Sequence, residues 1–194
     1  MIFIGVESQS AGGHGYNKRQ SANAKEVFYQ LHKIGIRTIG AWIAGFSFQN
    51  RETLMEDLKY FISCYPTYQQ LSIFSPFPGT PLHDTLQKNG LAPQCQFSDY
   101  HFWNPKSSHP EFTNQELFKF TEDGYTLGYE TWGPCLLRNL DVHLNGIQFC
   151  RQAQSSILRV HTEIHHKKNA GKIYTQLKAM MKFAPNTEVR ERIR

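Results

Sequence analysis

Ile36-Arg37-Thr38-Ile39-Gly40-Ala41-Trp42-Ile43-Ala44-Gly45 is the stretch that decides the fold. From Thr38 to Ala44 it carries no charge, and β-branched and aromatic side chains are mixed with small ones. A run this apolar belongs to a strand buried on both faces, as in a parallel sheet. Upstream, 22–34 predicts a helix. Ala24, Val27, Phe28, Leu31 and Ile34 keep helical spacing, Ser21 or Asn23 can cap the start, and Gly35 suits the left-handed stop. A Gly- and Ser-rich loop from Ser8 to Gly15 separates this helix from a second apolar run, Ile2-Phe3-Ile4-Gly5-Val6. Downstream, 51–63 predicts another helix, capped by Asn50, with Leu54, Leu58, Phe61 and Ile62 inward. A third strand follows, Gln70-Leu71-Ser72-Ile73-Phe74-Ser75, and then the loop Pro76-Phe77-Pro78-Gly79-Thr80-Pro81. Thr80 is a good helix cap, Pro81 fits the first helical position, and Asn89-Gly90 ends the short helix between them.

The strand starts fall near 2, 38 and 70, the spacing of βαβ units, whose right-handed crossovers put all three strands in one parallel sheet. Three strands cannot close a barrel, since eight units take about 250 residues. The expected fold class is therefore α/β: a partial, parallel-strand TIM-like barrel of three βα units over 1–91, followed by a helical C-terminal region. The first strand starts at residue 1, so the chain reads as the last part of a larger βα array. Residues 92–112 form an aromatic, Pro- and His-containing connector. Thr113-Asn114-Gln115-Glu116 is a capping box that opens the helical region, 113–184, with Leu117, Phe120 and Leu127 following. Trp132-Gly133-Pro134 breaks the pattern, and Leu136, Leu137, Leu140 and Leu144 mark the next helix. A third helix is expected over 148–167, with Phe149, Ala153, Ile157, Val160 and Ile164 on one stripe, then a short one with Ile173, Leu177, Met180 and Met181. Residues 185–194 read as a frayed tail.

Forty per cent of the 194 residues are hydrophobic, and fourteen Phe, nine Tyr and three Trp can fill a core, which excludes wholesale disorder. The net charge is +5, but the one dense basic stretch is His165-His166-Lys167-Lys168, and Glu188 and Glu191 interrupt Arg190, Arg192 and Arg194. Nucleic acid is not an expected partner. Cys64, Cys95, Cys135 and Cys150 make no CxxC pair, which fits free thiols in a reducing cytoplasm, and Cys135 and Cys150 read as core thiols. No stretch approaches the ~20 apolar residues of a membrane span. His161 and His165 stand four apart on a helix and could reach one metal, but no third ligand is near. Cations at a helix end are the expected account, and no metal site is assigned.

In a parallel α/β array ligands bind at the C-terminal ends of the strands. Glu7 leaves an apolar strand there, and its carboxylate can accept hydrogen bonds from hydroxyl or amino groups; a helix-cap partner or a solvated acid is the other account. Gly45 either lets a flat ligand lie against the backbone or is a turn glycine. The Pro76–Pro81 loop offers preset carbonyls, or simply leaves the strand and starts the helix.

The succession Gly5-Val6-Glu7-Ser8, Asn17-Lys18-Arg19, Gly35-Ile36-Arg37, Ile43-Ala44-Gly45-Phe46, Arg51-Glu52-Thr53 and Ser75-Pro76-Phe77-Pro78-Gly79-Thr80-Pro81-Leu82 resembles the later strands of radical S-adenosylmethionine enzymes. It is most similar to those carrying a cobalamin-binding domain. The resemblance covers 2–91 closely and the helices to about 146 loosely. It implies S-adenosylmethionine as cofactor. Glu7 and Ser8 then match positions near the ribose, and Lys18 or Arg19 a basic position near the methionine carboxylate. Ile43 and Gly45 match the strand lining the adenine, and Pro76, Pro78 and Gly79 the loop bordering it. The implied reaction is radical-initiated C–H chemistry, with methyl transfer where cobalamin is present, on a small-molecule substrate. Two features depart from the family. Ser47-Phe48-Gln49-Asn50 replaces the usual Pro-Gly loop, and the Cys-x3-Cys-x2-Cys loop that holds a 4Fe–4S cluster is absent. The cluster and cobalamin would belong to a missing N-terminal half or an equivalent partner chain. The contrasting expectation is a non-catalytic remnant or interaction module on the same half-barrel.

Overall fold

The computed structural model describes residues 1–9, 23–91, 96–100, 108–152 and 156–193. Three parallel strands, β1 (Ile2–Glu7), β2 (Thr38–Ala44) and β3 (Tyr68–Ile73), form a sheet in that order, joined through α1 (Ala24–Lys33) and α2 (Arg51–Ser63). α3 (Pro81–Lys88) follows β3, and α4 (Asn114–Trp132), α5 (Cys135–Gln152), α6 (Ser156–Met180) and α7 (Thr187–Ile193) complete the chain. The molecule is thus α/β, with a three-stranded parallel sheet and many helices.

Local chemistry sets the helix starts. Asn23 caps α1, Asn50 and Thr53 form a reciprocal capping box on α2, Thr80 caps α3 with Pro81 in the first turn, and Thr113 and Glu116 box the start of α4. Gly35 follows α1 at φ 79. Each sheet face has its own character, because side chains alternate. Thr38, Gly40, Trp42 and Ala44 face the helices: a Cβ on Gly40 would meet Phe61 and Phe28 at 3.0 and 3.1 Å. α4 lies along the same side, where Gly124 sits against Leu71 and Leu58 and Gly128 against Gln69. Phe28, Trp42, Leu54, Leu58, Phe61 and Leu71 are all but sealed from solvent there, and each contributes about 1.5–3 kcal/mol by burial. The other face, with Phe3, Ile39 and Ile43, is far less covered, and Phe3 is 57 % exposed.

The helical region is stitched to the sheet by buried polar groups. Arg138 is 3 % exposed and donates from Nε to the Pro66 carbonyl at 2.8 Å and from Nη1 to the Gly133 carbonyl at 3.0 Å. Trp132 Nε1 donates to the Ile62 carbonyl at 2.8 Å.

Three sequence expectations are corrected. The helix expected over 148–167 does not exist as one element: α5 runs to Gln152 and α6 takes up Ile173 and Leu177 as well. The supposed stripe fails with it, since Phe149, Val160 and Ile164 are 45, 48 and 58 % exposed; the side chains of Ala153 and Ile157 lie outside the described residues. The stripe straddled two helices, Phe149 lying on α5 and Val160 and Ile164 on α6. The expected tail at 185–194 contains α7, whose Val189 and Ile193 are buried with Leu137, Ile173 and Leu177. The strands also sit slightly differently, β2 starting at Thr38 rather than Ile36 and β3 spanning Tyr68–Ile73 rather than 70–75.

Candidate functional site

The parallel register puts the C-terminal ends of all three strands at one edge, with Glu7 opposite Trp42 and Ala44 opposite Ile73. The register shifts between Gly5 and Glu7, and Glu7 takes φ 57. A side chain in that left-handed region is strained by about 1–3 kcal/mol, and bulges recur where a side chain must be re-aimed beside a site. Glu7 is half-buried.

The next residues are tied down from below. Ser8 is 4 % exposed and its hydroxyl donates to Asp57 Oδ2 on α2. The Gln9 N–H donates to Asp57 Oδ1 at 3.1 Å. Gln49 Nε2 donates to Asp57 Oδ2 at 3.0 Å, while Gln49 Oε1 accepts from the Gly45 and Phe46 N–H groups at 2.8 and 3.0 Å. Asp57 and Gln49 are 5 and 1 % exposed. One carboxylate and one amide therefore join the ends of β1 and β2 from inside the protein.

Gly45 has φ 90, and a Cβ there would stand 2.9 Å from Leu117 Cδ1. Its missing side chain makes room for α4. Ile43 is half-buried. Past β2, His109 fixes the segment before α4: its Nδ1 accepts from the Glu111 and Phe112 N–H groups at 3.1 and 3.2 Å, so Nε2–H donates to the Phe46 carbonyl at 2.9 Å. At the end of β3, Pro76 is buried, Pro78 is half-buried, and Gly79 has φ 84 with nothing within 4 Å of its Cβ position. His83, 5 % exposed on α3, meets the Tyr100 hydroxyl through Nε2 at 3.0 Å, and Tyr100 lies against Phe77 with ring centroids 6.1 Å apart.

Glu7, Ser8, Ile43, Gly45, Pro76, Pro78 and Gly79 thus all lie at or just beyond one edge of the sheet. Ser8 and the Gly45 N–H are engaged inside the fold. Lys18 and Arg19 lie outside the described residues. Asp57, Gln49, His109 and Tyr100 were missed. Asp57 had a signal: it breaks the apolar spacing Leu54, Leu58, Phe61 on the buried side of α2.

Among the described residues the buried thiols do not suit a cluster. Burial pushes the Cys64 thiol up to about 11, and Cys150 is also raised by burial. Thiolates are what hold iron. Cys95 lies outside the described residues. Among the described residues no group of three or more His, Cys, Asp or Glu is placed to hold a metal ion, and no helix is long and apolar enough to cross a membrane. His161 and His165 are exposed; the buried imidazoles of α5 and α6 are His143 and His166, with Nδ1 atoms 2.8 Å apart.

No family model matches the sequence. An uncharacterized methyltransferase of Pyrococcus horikoshii is 26 % identical over 133 residues, which are 66 % of this chain and 28 % of that protein. The chain is thus similar, at low identity, to part of a methyltransferase, and spans under a third of its length.

Proposed function

We propose that this chain supplies the S-adenosylmethionine-facing strand ends of a radical S-adenosylmethionine enzyme of the cobalamin-dependent type, and is inactive without the segment or partner that carries the cluster. The observation that carries this reading is Glu7, a carboxylate held in a strained conformation at the ligand end of a parallel strand. The likeness to a methyltransferase supports a methyl-donor ligand. In this reading Glu7 accepts hydrogen bonds from the ribose hydroxyls, Ile43 packs beside the adenine, and the loop from Pro76 to Gly79 borders it with Gly79 leaving its side open. S-adenosylmethionine, when bound, supplies the group that reacts. No step is assigned to cluster or cobalamin, and the described thiols do not fit the first. The less covered sheet face and the outer edge of β1, where Met1, Ile2 and Phe3 are 68, 41 and 57 % exposed, are where further strands of a barrel would pack. In this reading the protein works in the cytoplasm, where free thiols persist.

Calorimetric titration of this chain with S-adenosylhomocysteine tests the reading. Binding is expected, and Glu7→Ala weakens it by about 1–3 kcal/mol, the range for a hydrogen bond to a charged group. A folded chain that takes up no ligand, or a Glu7→Ala variant with unchanged affinity, refutes it. The reading as a non-catalytic remnant rests on the absent three-cysteine loop. Co-expression with the remaining segment of a longer homologue separates the two, since a remnant gains no S-adenosylmethionine cleavage.

A further inference from the structure

We infer that Asp57 is the positioning residue of this site: it holds Glu7 in its left-handed conformation and locks the ends of β1 and β2 into one unit. The inference rests on the reading of Glu7 as the ribose-side carboxylate, but its structural half stands apart from it. A non-glycine residue at positive φ persists only where its surroundings over-determine it. On one side of Glu7 is the register shift against β2; on the other, Ser8 and Gln9 are both anchored on the two oxygens of Asp57. That anchor opposes relaxation of the bulge into regular strand, which would turn the Glu7 carboxylate away from its present place. The same Asp57 orients Gln49, whose other end holds the Gly45 and Phe46 N–H groups. Asp57 sits on α2, part of the rigid helix layer, and all three of its partners donate to it, which suits a group that only accepts. Its link to the Gly45 and Phe46 N–H groups runs through the Gln49 amide.

Amide hydrogen exchange on the unliganded chain tests the coupling. Asp57→Asn keeps the shape but sets an amide N–H₂ against at least one donor. The Gln9, Gly45 and Phe46 amides are expected to exchange about tenfold faster or more, as for locally freed segments, while the Trp42 amide in the central strand stays protected. If Gly45 and Phe46 exchange as in the parent, the ends are not coupled and the inference falls. If Asp57→Asn does not fold, Ser8→Ala is read at the Gln9 amide, which is expected to exchange faster; unchanged exchange there means that Asp57 does not anchor the end of β1, and the inference falls. A ligand arm follows. Asp57→Asn is expected to weaken binding of 5′-methylthioadenosine about tenfold, the scale of one hydrogen bond to a charged group, and to leave its 2′,3′-dideoxy analogue unchanged. Equal weakening of both nucleosides shows general loosening and overturns the positioning role. If the parent chain binds neither nucleoside, the proposed function fails, and the exchange result alone decides whether Asp57 locks the strand ends.

Discussion

Acidification from pH 7 to pH 5 should cost this protein stability through one ring in particular. His32 is 6 % exposed, and its Nε2 lies 2.9 Å from Thr38 Oγ1 and 3.1 Å from Thr67 Oγ1. Burial first, and the nearby Arg138 guanidinium second, lower it from 6.5 to about 4. The folded state therefore binds fewer protons here than the unfolded chain. The contribution of His32 is complete above pH 6.5 and drains away as the pH falls from there toward 4. At about 1.4 kcal/mol per pH unit, the loss is about 2 kcal/mol at pH 5, an appreciable part of the ~5–15 kcal/mol of a typical domain. His143 is lowered too, by burial and then by His166, Arg37 and His165, and His166 by burial, His165 and Arg37; both add to the loss in the same direction. Carboxylates lowered by their partners, Glu116 and Glu163, give way below their ordinary range and stay outside this window. Urea unfolding followed by tryptophan fluorescence at pH 7, 6 and 5 is the assay. His32→Gln retains an amide nitrogen near the position of Nε2 and does not titrate. Whatever it costs at pH 7, its stability should fall less steeply than the parent's, the difference reaching about 2 kcal/mol at pH 5. Identical slopes in parent and variant would refute the assignment of a buried, neutral His32.

Three further outcomes are expected. Glu7→Gly should be about 1 kcal/mol more stable than Glu7→Ala, against the usual order of those residues, because only glycine is relaxed at φ 57; an alanine variant of equal or higher melting temperature would show that the strain is not real. Gly45→Ala should lose about 2–5 kcal/mol in denaturant melts, from the positive φ and the close approach to Leu117 together, and Leu117→Ala in the same chain should recover part of it. Removing 186–194 should cost about 3–5 kcal/mol, since it takes Val189 and Ile193 out of their cluster; unchanged melting would return the segment to the status of a tail.

What the sequence disclosed and what it hid divide along range of interaction. The helix starts were legible because capping residues act within four positions: Asn50 and Thr80 mark helices of the βα units, and Thr113 the start of α4, unaided. The boundary between α5 and α6 was illegible because no Gly or Pro stands near residue 153, so two helices ran together into one false stripe. The site was half legible. That ligands belong at the strand ends follows from topology, which singled out Glu7. The roles of Ser8 and Gly45 depend on Asp57 and Leu117, residues 49 and 72 positions away (57 − 8 and 117 − 45). No local pattern could have said that the serine hydroxyl goes inward, or that a leucine of α4 stands where a side chain on the glycine would be.

Arg138 has a consequence for how the molecule comes apart. Its guanidinium spans the carbonyls of Pro66, just before β3, and Gly133, between α4 and α5, and burial leaves no water to replace either acceptor. Peeling the C-terminal helices from the sheet would part that cation from the Pro66 carbonyl. The helices and the sheet should therefore melt in a single cooperative transition. A protease working on the native protein should then release no stable fragment that ends between Trp132 and Cys135.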